Sequence, residues 1–291
     1  MDIVEITFPQ IDANQIVLSK YSHEVIYSFI ESYNRRDALL KSGFDASNSL
    51  LLYGPPGCGK TTVAQLISSI TGLPLVTARL DGLVSSLLGS TAKNIRKIFD
   101  YASKRECIHF LDEFDVVAKL RDDKNELGEL KRVVNSLIQN IDTFNNDSIL
   151  IAATNHHELL DPAIWRRFTT VMNLEKPQKE EVHQLLQTIL NGKTTNFLSI
   201  SKKLDFIENA LVGLSHSEIK TILYNAMRGV ILADRDCLTN CDVLKTVYFH
   251  RNRSIELQDD LLKYLMENGA THKEINESMK IPLRKVQGIS K

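Results

Sequence analysis

Cysteine is scarce. Four residues in a chain of 291 are too few for the disulfide framework of a small secreted domain. Cys237 and Cys241 stand at i and i+4 with His250 downstream, but no second pair completes a zinc site. No apolar run approaches the roughly 18 residues of a membrane span, and the first six residues carry acids where a leader would carry bases. These absences predict reduced thiols, no membrane partner and a cytoplasmic location. Charge of one sign is also missing. A formal net charge of −1 excludes a global attraction to nucleic acid or anionic lipid, so such a partner would have to be met by a local patch. No internal repeat or low-complexity segment is present. What remains is a globular chain long enough for two domains or slightly more.

Against this background one segment stands out. Gly54-Pro55-Pro56-Gly57-Cys58-Gly59-Lys60-Thr61 fits GxxxxGK[ST] without a gap. Glycines let the backbone turn so that successive N–H groups face phosphate oxygens, and the following helix adds its positive N-terminal end. Lys60 is placed to reach the β- and γ-phosphates, Thr61 to offer a hydroxyl to Mg²⁺, and Thr62 to touch the α-phosphate. The pattern needs a strand before it and a helix after it. Ser49 to Tyr53 is a short apolar run, and Val63, Leu66, Ile67 and Ile70 recur at helical spacing. A nucleoside triphosphate with Mg²⁺ is the expected ligand.

Strand-like apolar runs recur at Leu50 to Tyr53, Leu75 to Ala78, Ile108 to Leu111, Ile149 to Ala153 and Thr170 to Leu174, with helical patterns between them. This alternation predicts an α/β fold, a parallel sheet sandwiched by helices, with ligands gathered at the carboxyl ends of the strands. After Lys176-Pro177 the strand signal stops. Helices are predicted over Lys179 to Asn191, Phe197 to Ala210, Ser215 to Ala233 and Asn240 to Tyr248. The division is therefore an extension over 1–33, an α/β nucleotide-binding domain over 34–176, a helical domain over 177–250 and a helical tail over 251–291.

Ile108-His109-Phe110-Leu111-Asp112-Glu113 is an apolar strand ending in two acids. Asp112 is suited to hold Mg²⁺ through its water shell, and Glu113 to orient and deprotonate a water attacking the γ-phosphate. His109 is expected to be packed and hydrogen-bonded rather than catalytic.

Together with the P-loop and Asp112-Glu113, the stretches Ala152-Ala153-Thr154-Asn155 and Asp161-Pro162-Ala163-Ile164-Trp165-Arg166-Arg167-Phe168 resemble the AAA class of AAA+ ATPases, over approximately Arg35 to Arg228. The resemblance implies a P-loop sheet followed by a helical lid. It implies that Asn155 is the sensor 1 residue that positions the attacking water, and that Arg166 and Arg167 occupy the arginine-finger position, reaching the nucleotide of a neighbouring subunit. The Pro-Gly spacer that often separates the two arginines is missing, so the sequence does not say which one reaches across. A homo-oligomer, expected to be a hexamer, follows. Gly213 to Ile219 resembles the sensor 2 region without its arginine, which would set His216 and Ser217 near the nucleotide. A helix N-cap by Ser215 with Glu218 in a capping box is the local alternative.

Threading members of the family carry an aromatic-hydrophobic-Gly loop. Here Ser86-Leu87-Leu88-Gly89-Ser90 keeps the glycine and an apolar residue but not the aromatic. Lys119 to Leu130 reads as a second, charged loop leading into a helix that begins near Glu129. The tail has a helix over Leu261 to Met266, a Thr271/Glu274 capping box and Pro282 opening a third helix, an order similar to a helix-turn-helix with Arg284, Lys285 and Gln287 on its recognition surface. From Arg251 onward eight bases face six acids, a weak charge for a DNA binder. The expected function is a ring-forming ATPase that remodels or unfolds a protein partner. The layout resembles bacterial ATPases paired with a subtilisin-like serine protease in defence or plasmid-maintenance systems. The alternative is an ATP-controlled DNA-binding assembly factor.

Overall fold

The computed structural model describes residues 4–44, 48–79, 96, 98–100, 105–114, 127–144, 147–160, 162–252 and 258–289. The expected loop over Leu87 and Leu88, most of the loop after Lys119, and Asp161 lie outside them. The chain divides into two compact units, Met1–Glu175 and Lys176–Lys291. No helix among the described residues is long and apolar enough to cross a membrane.

The first unit is built on a six-stranded sheet. Its strands are β1 (Val4–Thr7), β2 (Ser49–Tyr53), β3 (Leu75–Arg79), β4 (Ile108–Asp112), β5 (Ile149–Thr154) and β6 (Thr170–Asn173), in the order β1-β3-β4-β5-β2-β6. All neighbours are parallel except β1 and β3. Parallel strands covered on both faces read as continuous apolar runs, and all six residues of β5 are buried. Alternate side chains feed two cores. Leu50 and Leu52 join Val63 and Ile67 of α3 (Lys60–Thr71) and Ile26, Phe29 and Ile30 of α1 (Lys20–Asn34) on one face. Leu51, Leu111 and Ala152 join Leu137 and Ile141 of α4 (Leu127–Asp142) on the other. A short α2 (Arg36–Lys41) follows α1, and a single turn, α5 (Pro162–Trp165), precedes β6.

Two expectations need adjustment, while the helix expected to begin near Glu129 is α4, which starts at Leu127. The segment before residue 34, set apart as an extension, supplies an edge strand and a core helix of the first unit. His109 is packed, but among the described residues neither ring nitrogen has a hydrogen-bond partner: its ring meets Phe99 edge-on at 4.9 Å and stacks on Phe144 at 6.1 Å, and those two rings are 6.0 Å from each other.

The second unit is helical: α6 (Lys179–Ile189), α7 (Ser201–Leu211), α8 (His216–Leu232), α9 (Asn240–Asn252), α10 (Gln258–Glu267), α11 (His272–Met279) and α12 (Leu283–Ile289). Capping boxes start α8 (Ser215 with Glu218) and α11 (Thr271 with Glu274), so both local readings hold. Pro282 sits one residue ahead of α12, its carbonyl accepting the N–H of Lys285 at 2.9 Å. Polar clamps tie the tail to the preceding helices. Ser278 donates to Asp242 at 2.6 Å, and Asn196 (2.6 Å) and Lys203 both donate to Glu274. Of α12, Val286 is buried while Arg284, Lys285 and Gln287 are exposed.

Candidate active site

The P-loop leaves the carboxyl end of β2 through a constriction that admits only glycine. Gly54 has φ +135°, and a Cβ there would stand 2.2 Å from the carbonyl oxygen of Leu174, far inside contact distance. The neighbouring strand holds that carbonyl in place, with Leu174 N–H donating to Tyr53 O at 2.8 Å. Gly57 (φ 75°) and Gly59 (φ 96°) are also left-handed, a region that L side chains avoid. Gly59 then accepts the first helical bond of α3 from Val63 N–H at 2.8 Å. Lys60, on the first turn, curls back over the loop and donates from Nζ to Gly54 O (2.7 Å) and Pro55 O (2.9 Å), leaving it only 8% exposed. The ammonium therefore already sits within the loop. Thr61 is exposed and Thr62 half-buried on the same turn, while Cys58 is buried beneath.

Two strands away, β4 ends in Asp112, whose Oδ1 accepts the N–H of Glu113 at 2.9 Å. Glu113 itself has φ 56°, a conformation that costs a non-glycine residue on the order of 1 kcal/mol. It is held there from both sides. The carboxylate of Asp112 fixes its N–H, and the next N–H, of Phe114, donates to Ala153 O at 2.9 Å while the Phe114 ring is fully buried. Backbone strain of this kind at a strand end, over-determined by its neighbours, is a mark of functional sites.

Between β4 and β2 runs β5, which ends in Thr154 and is followed by the half-buried Asn155. The registers Leu111↔Ala152 and Tyr53↔Thr154 bring Gly54, Glu113 and Asn155 to one edge of three adjacent strands. That edge is where parallel α/β sheets bind their ligands. Thr154 Oγ1 accepts His156 N–H at 3.0 Å and turns the chain away after Asn155.

The two arginines after α5 have different surroundings. Arg167 is spoken for: Nε and Nη2 donate to the Asp142 carboxylate at 2.7 and 3.1 Å, and Nη1 to Ala163 O. Arg166 is exposed and has no partner among the described residues. Nothing in the local pattern pointed to Asp142, which lies 25 residues upstream on α4. It also did not single out the ring contacts among Tyr53, His157 and Trp165. Ser217 is exposed on the first turn of α8, in the second unit.

Residues 50–176 match the family described as "ATPase family associated with various cellular activities (AAA)". The chain is 39% identical over 236 residues to an AAA family ATPase of Sinorhizobium fredii, covering 80% of this chain and 69% of that protein. It is 31% identical over 211 residues to proteasome-activating nucleotidase 1 of Haloferax volcanii, with 69% of this chain and 51% of that one aligned. It is 30% identical over 202 residues to a ribosome biogenesis ATPase of Saccharomyces cerevisiae, 67% of this chain but 24% of that protein. This chain thus spans about half or less of the latter two relatives. Likeness at this level over more than two thirds of the first relative, on a sheet that carries a P-loop, establishes the family: the chain belongs to the AAA ATPases, enzymes that bind and hydrolyse ATP.

Proposed function

We propose that this ATPase works as a ring of identical copies in which Arg166 of one copy completes the nucleotide site of the next, and that turnover is used to remodel a protein partner. The observation that carries this is the contrast between the two arginines. Arg167 is bound within its own chain, whereas Arg166 next to it is exposed without a partner among the described residues. A cation beside developing phosphate charge stabilises the transition state.

Within one copy, Lys60 and the amides of Gly57 to Thr62 would hold the phosphates. Asn155 would hold the attacking water through its amide. As water attacks the γ-phosphorus, its proton passes to the Glu113 carboxylate, the bond from phosphorus to the β–γ bridging oxygen breaks, and ADP departs. The Thr61 hydroxyl and the Asp112 carboxylate are hard oxygen donors suited to Mg²⁺, which would neutralise charge on the β- and γ-phosphates. Ser217 is proposed near the nucleotide as well.

Protein remodelling draws on the likeness to a proteasome-activating nucleotidase and a ribosome biogenesis ATPase. A hexamer, and a subtilisin-like serine protease as partner in a bacterial defence or plasmid-maintenance system, are the narrower form of the same reading. A cycle that consumes ATP calls for a compartment supplied with it, the cytoplasm in a bacterial cell.

The test combines assembly with turnover. With ATP and Mg²⁺, Glu113→Gln is expected to bind nucleotide without turnover and to sediment as an assembly several times the 32.9 kDa chain. Wild-type turnover per chain should rise with protein concentration, and Arg166→Ala should lose turnover while still binding ATP. An ATPase that stays monomeric at every concentration would sink the shared site. Stimulation by duplex DNA, lost on substituting Arg284 and Lys285, would move the reading to the DNA-binding alternative.

A further inference from the structure

Arg166 follows a helix of four residues, Pro162–Trp165. One turn cannot set its own direction, because so short a helix has no intrinsic stability. The aim of Arg166 must therefore come from what its neighbours touch. Ile164 and Phe168 are 1% and 5% exposed, and Phe168 meets Phe114, the residue after Glu113, edge-on at 6.0 Å. Arg167 is locked to Asp142. From Ile164 to Phe168, Arg166 is the exposed member.

Trp165 makes the contacts that reach the nucleotide machinery most directly. Its ring stands edge-on to Tyr53 at 5.3 Å and to His157 at 6.3 Å, and Tyr53 and His157 are 4.8 Å apart, so the three rings form a closed triangle. Each corner adjoins a group the ATPase uses. Tyr53 precedes Gly54 of the P-loop, His157 lies two residues after Asn155, and Trp165 precedes Arg166. The other end of β2 is gripped as well: Ser49 Oγ donates to Arg167 O at 3.3 Å and accepts from Thr169 N–H at 3.0 Å. The strand that delivers the P-loop is thus the rail against which the turn carrying Arg166 is set.

We propose that the Tyr53–His157–Trp165 triangle is the positioning device for Arg166, so that a copy's own P-loop strand sets the aim of the arginine it lends to its neighbour. The proposal rests on the reading that Arg166 completes a neighbouring site, and it assigns Trp165 the role of a positioning residue that touches no substrate. Misplacing a catalytic group by about 1 Å costs on the order of 100-fold in rate, so a triangle that fixes direction has ample leverage.

The test separates the chain that lends the arginine from the chain that hydrolyses. Glu113→Gln chains keep Arg166 but cannot turn over; Arg166→Ala chains keep Glu113 but lack the arginine. Mixed before addition of ATP and Mg²⁺, the two inactive proteins are expected to regain turnover. At saturating ATP, adding Trp165→Ala to the Glu113→Gln chain should cut the regained rate by about tenfold or more, while the same change on the Arg166→Ala chain should leave it within about twofold. Trp165→Phe on the lending chain, which keeps a ring in place, should recover most of the rate. Because one substitution is read in both chains, misfolding would lower the rate in both placements. Equal losses, or no loss in either, would overturn the positioning role and leave the shared site standing. No turnover from the first mixture would overturn the shared site, and this proposal with it.

Discussion

At the carboxyl edge of the sheet the first unit leaves polar groups on partners that a ligand can replace, whereas the second unit buries the carboxylates of Asp242 and Glu274 against several partners of its own fold. Lys60 rests on two carbonyls of its own loop, and Asp112 on the N–H of the next residue. Asp242, by contrast, accepts from Arg235 Nη2 (2.7 Å) and Nη1 (3.1 Å), from the N–H (3.1 Å) and hydroxyl (2.7 Å) of Thr239, and from Ser278 (2.6 Å). Burial alone would raise its pKa, but the Arg235, Ser278 and Thr239 bonds outweigh it and leave the carboxyl below its ordinary value. Glu274 repeats the pattern: burial raises its pKa, and bonds from Lys203 and Thr271 bring it below normal. A buried charge with every lone pair engaged holds structure together. One with replaceable partners at a strand end is free to do chemistry.

The largest expected effect tests the first half of this contrast. Lys60→Ala should lower kcat on the order of 100-fold to 1000-fold, the cost of losing a positioned donor to developing phosphate charge. It should shift the unfolding midpoint little, because the carbonyls of Gly54 and Pro55 would turn to water. Retained turnover, measured by phosphate release, would break the contrast from the active-site side.

Next in size is the clamp. Asp242→Ala removes one partner of a buried ion pair and strands Arg235, Thr239 and Ser278, at a cost of about 3–5 kcal/mol. Where the loss falls can be measured, since Trp165 is the sole tryptophan and reports the first unit, while far-ultraviolet circular dichroism follows helices in both. The dichroism transition in urea should move to lower denaturant and the fluorescence transition should stay. If both move together, the units unfold as one and the two halves are not independent.

The same contrast explains what was legible in the sequence. Buried parallel strands announce themselves as apolar runs, and the P-loop and Asp112-Glu113 are contiguous motifs, so the site could be placed on its sheet from local pattern alone. Partners set by folding could not. Val4–Thr7 is a four-residue strand with Glu5 and Ile6 exposed, and its membership of the sheet rests on antiparallel pairing with Leu75–Ala78. The helix Lys20–Asn34 did carry a readable stripe, Ile26, Phe29, Ile30 and Tyr33, but a stripe does not say which core it joins. Arg166 and Arg167 are chemically identical neighbours, told apart by the contacts that Arg167 makes in the fold, with the distant Asp142 carboxylate and the Ala163 carbonyl. His109 failed for a related reason. A histidine in an apolar strand suggests a hydrogen bond, yet the folded chain supplies aromatic rings.

That histidine gives the smallest and most sharply directed prediction. Burial pushes the pKa of His109 down to about 3, so the folded protein keeps the ring neutral while the unfolded chain takes up a proton near its ordinary value of about 6.5. The unfolded state therefore binds more protons between these two values. The contribution of the neutral ring is complete above about pH 6.5 and is lost as pH falls toward 3, with a slope on the order of 1 kcal/mol per pH unit. The second unit responds at lower pH. Glu218 is held at about 2, first by the N–H of Ser215 and also by His250 against an opposing effect of burial, so its contribution persists above the ordinary carboxylate value of about 4.3 and is lost below it. Urea midpoints followed by Trp165 fluorescence should thus fall between pH 6.5 and 4.5 in the wild type. They should fall less in His109→Phe, which keeps a ring against Phe99 and Phe144 but cannot take up a proton. An equal fall in both proteins would mean that the first unit's acid sensitivity lies elsewhere, and that the buried imidazole of His109 costs it nothing.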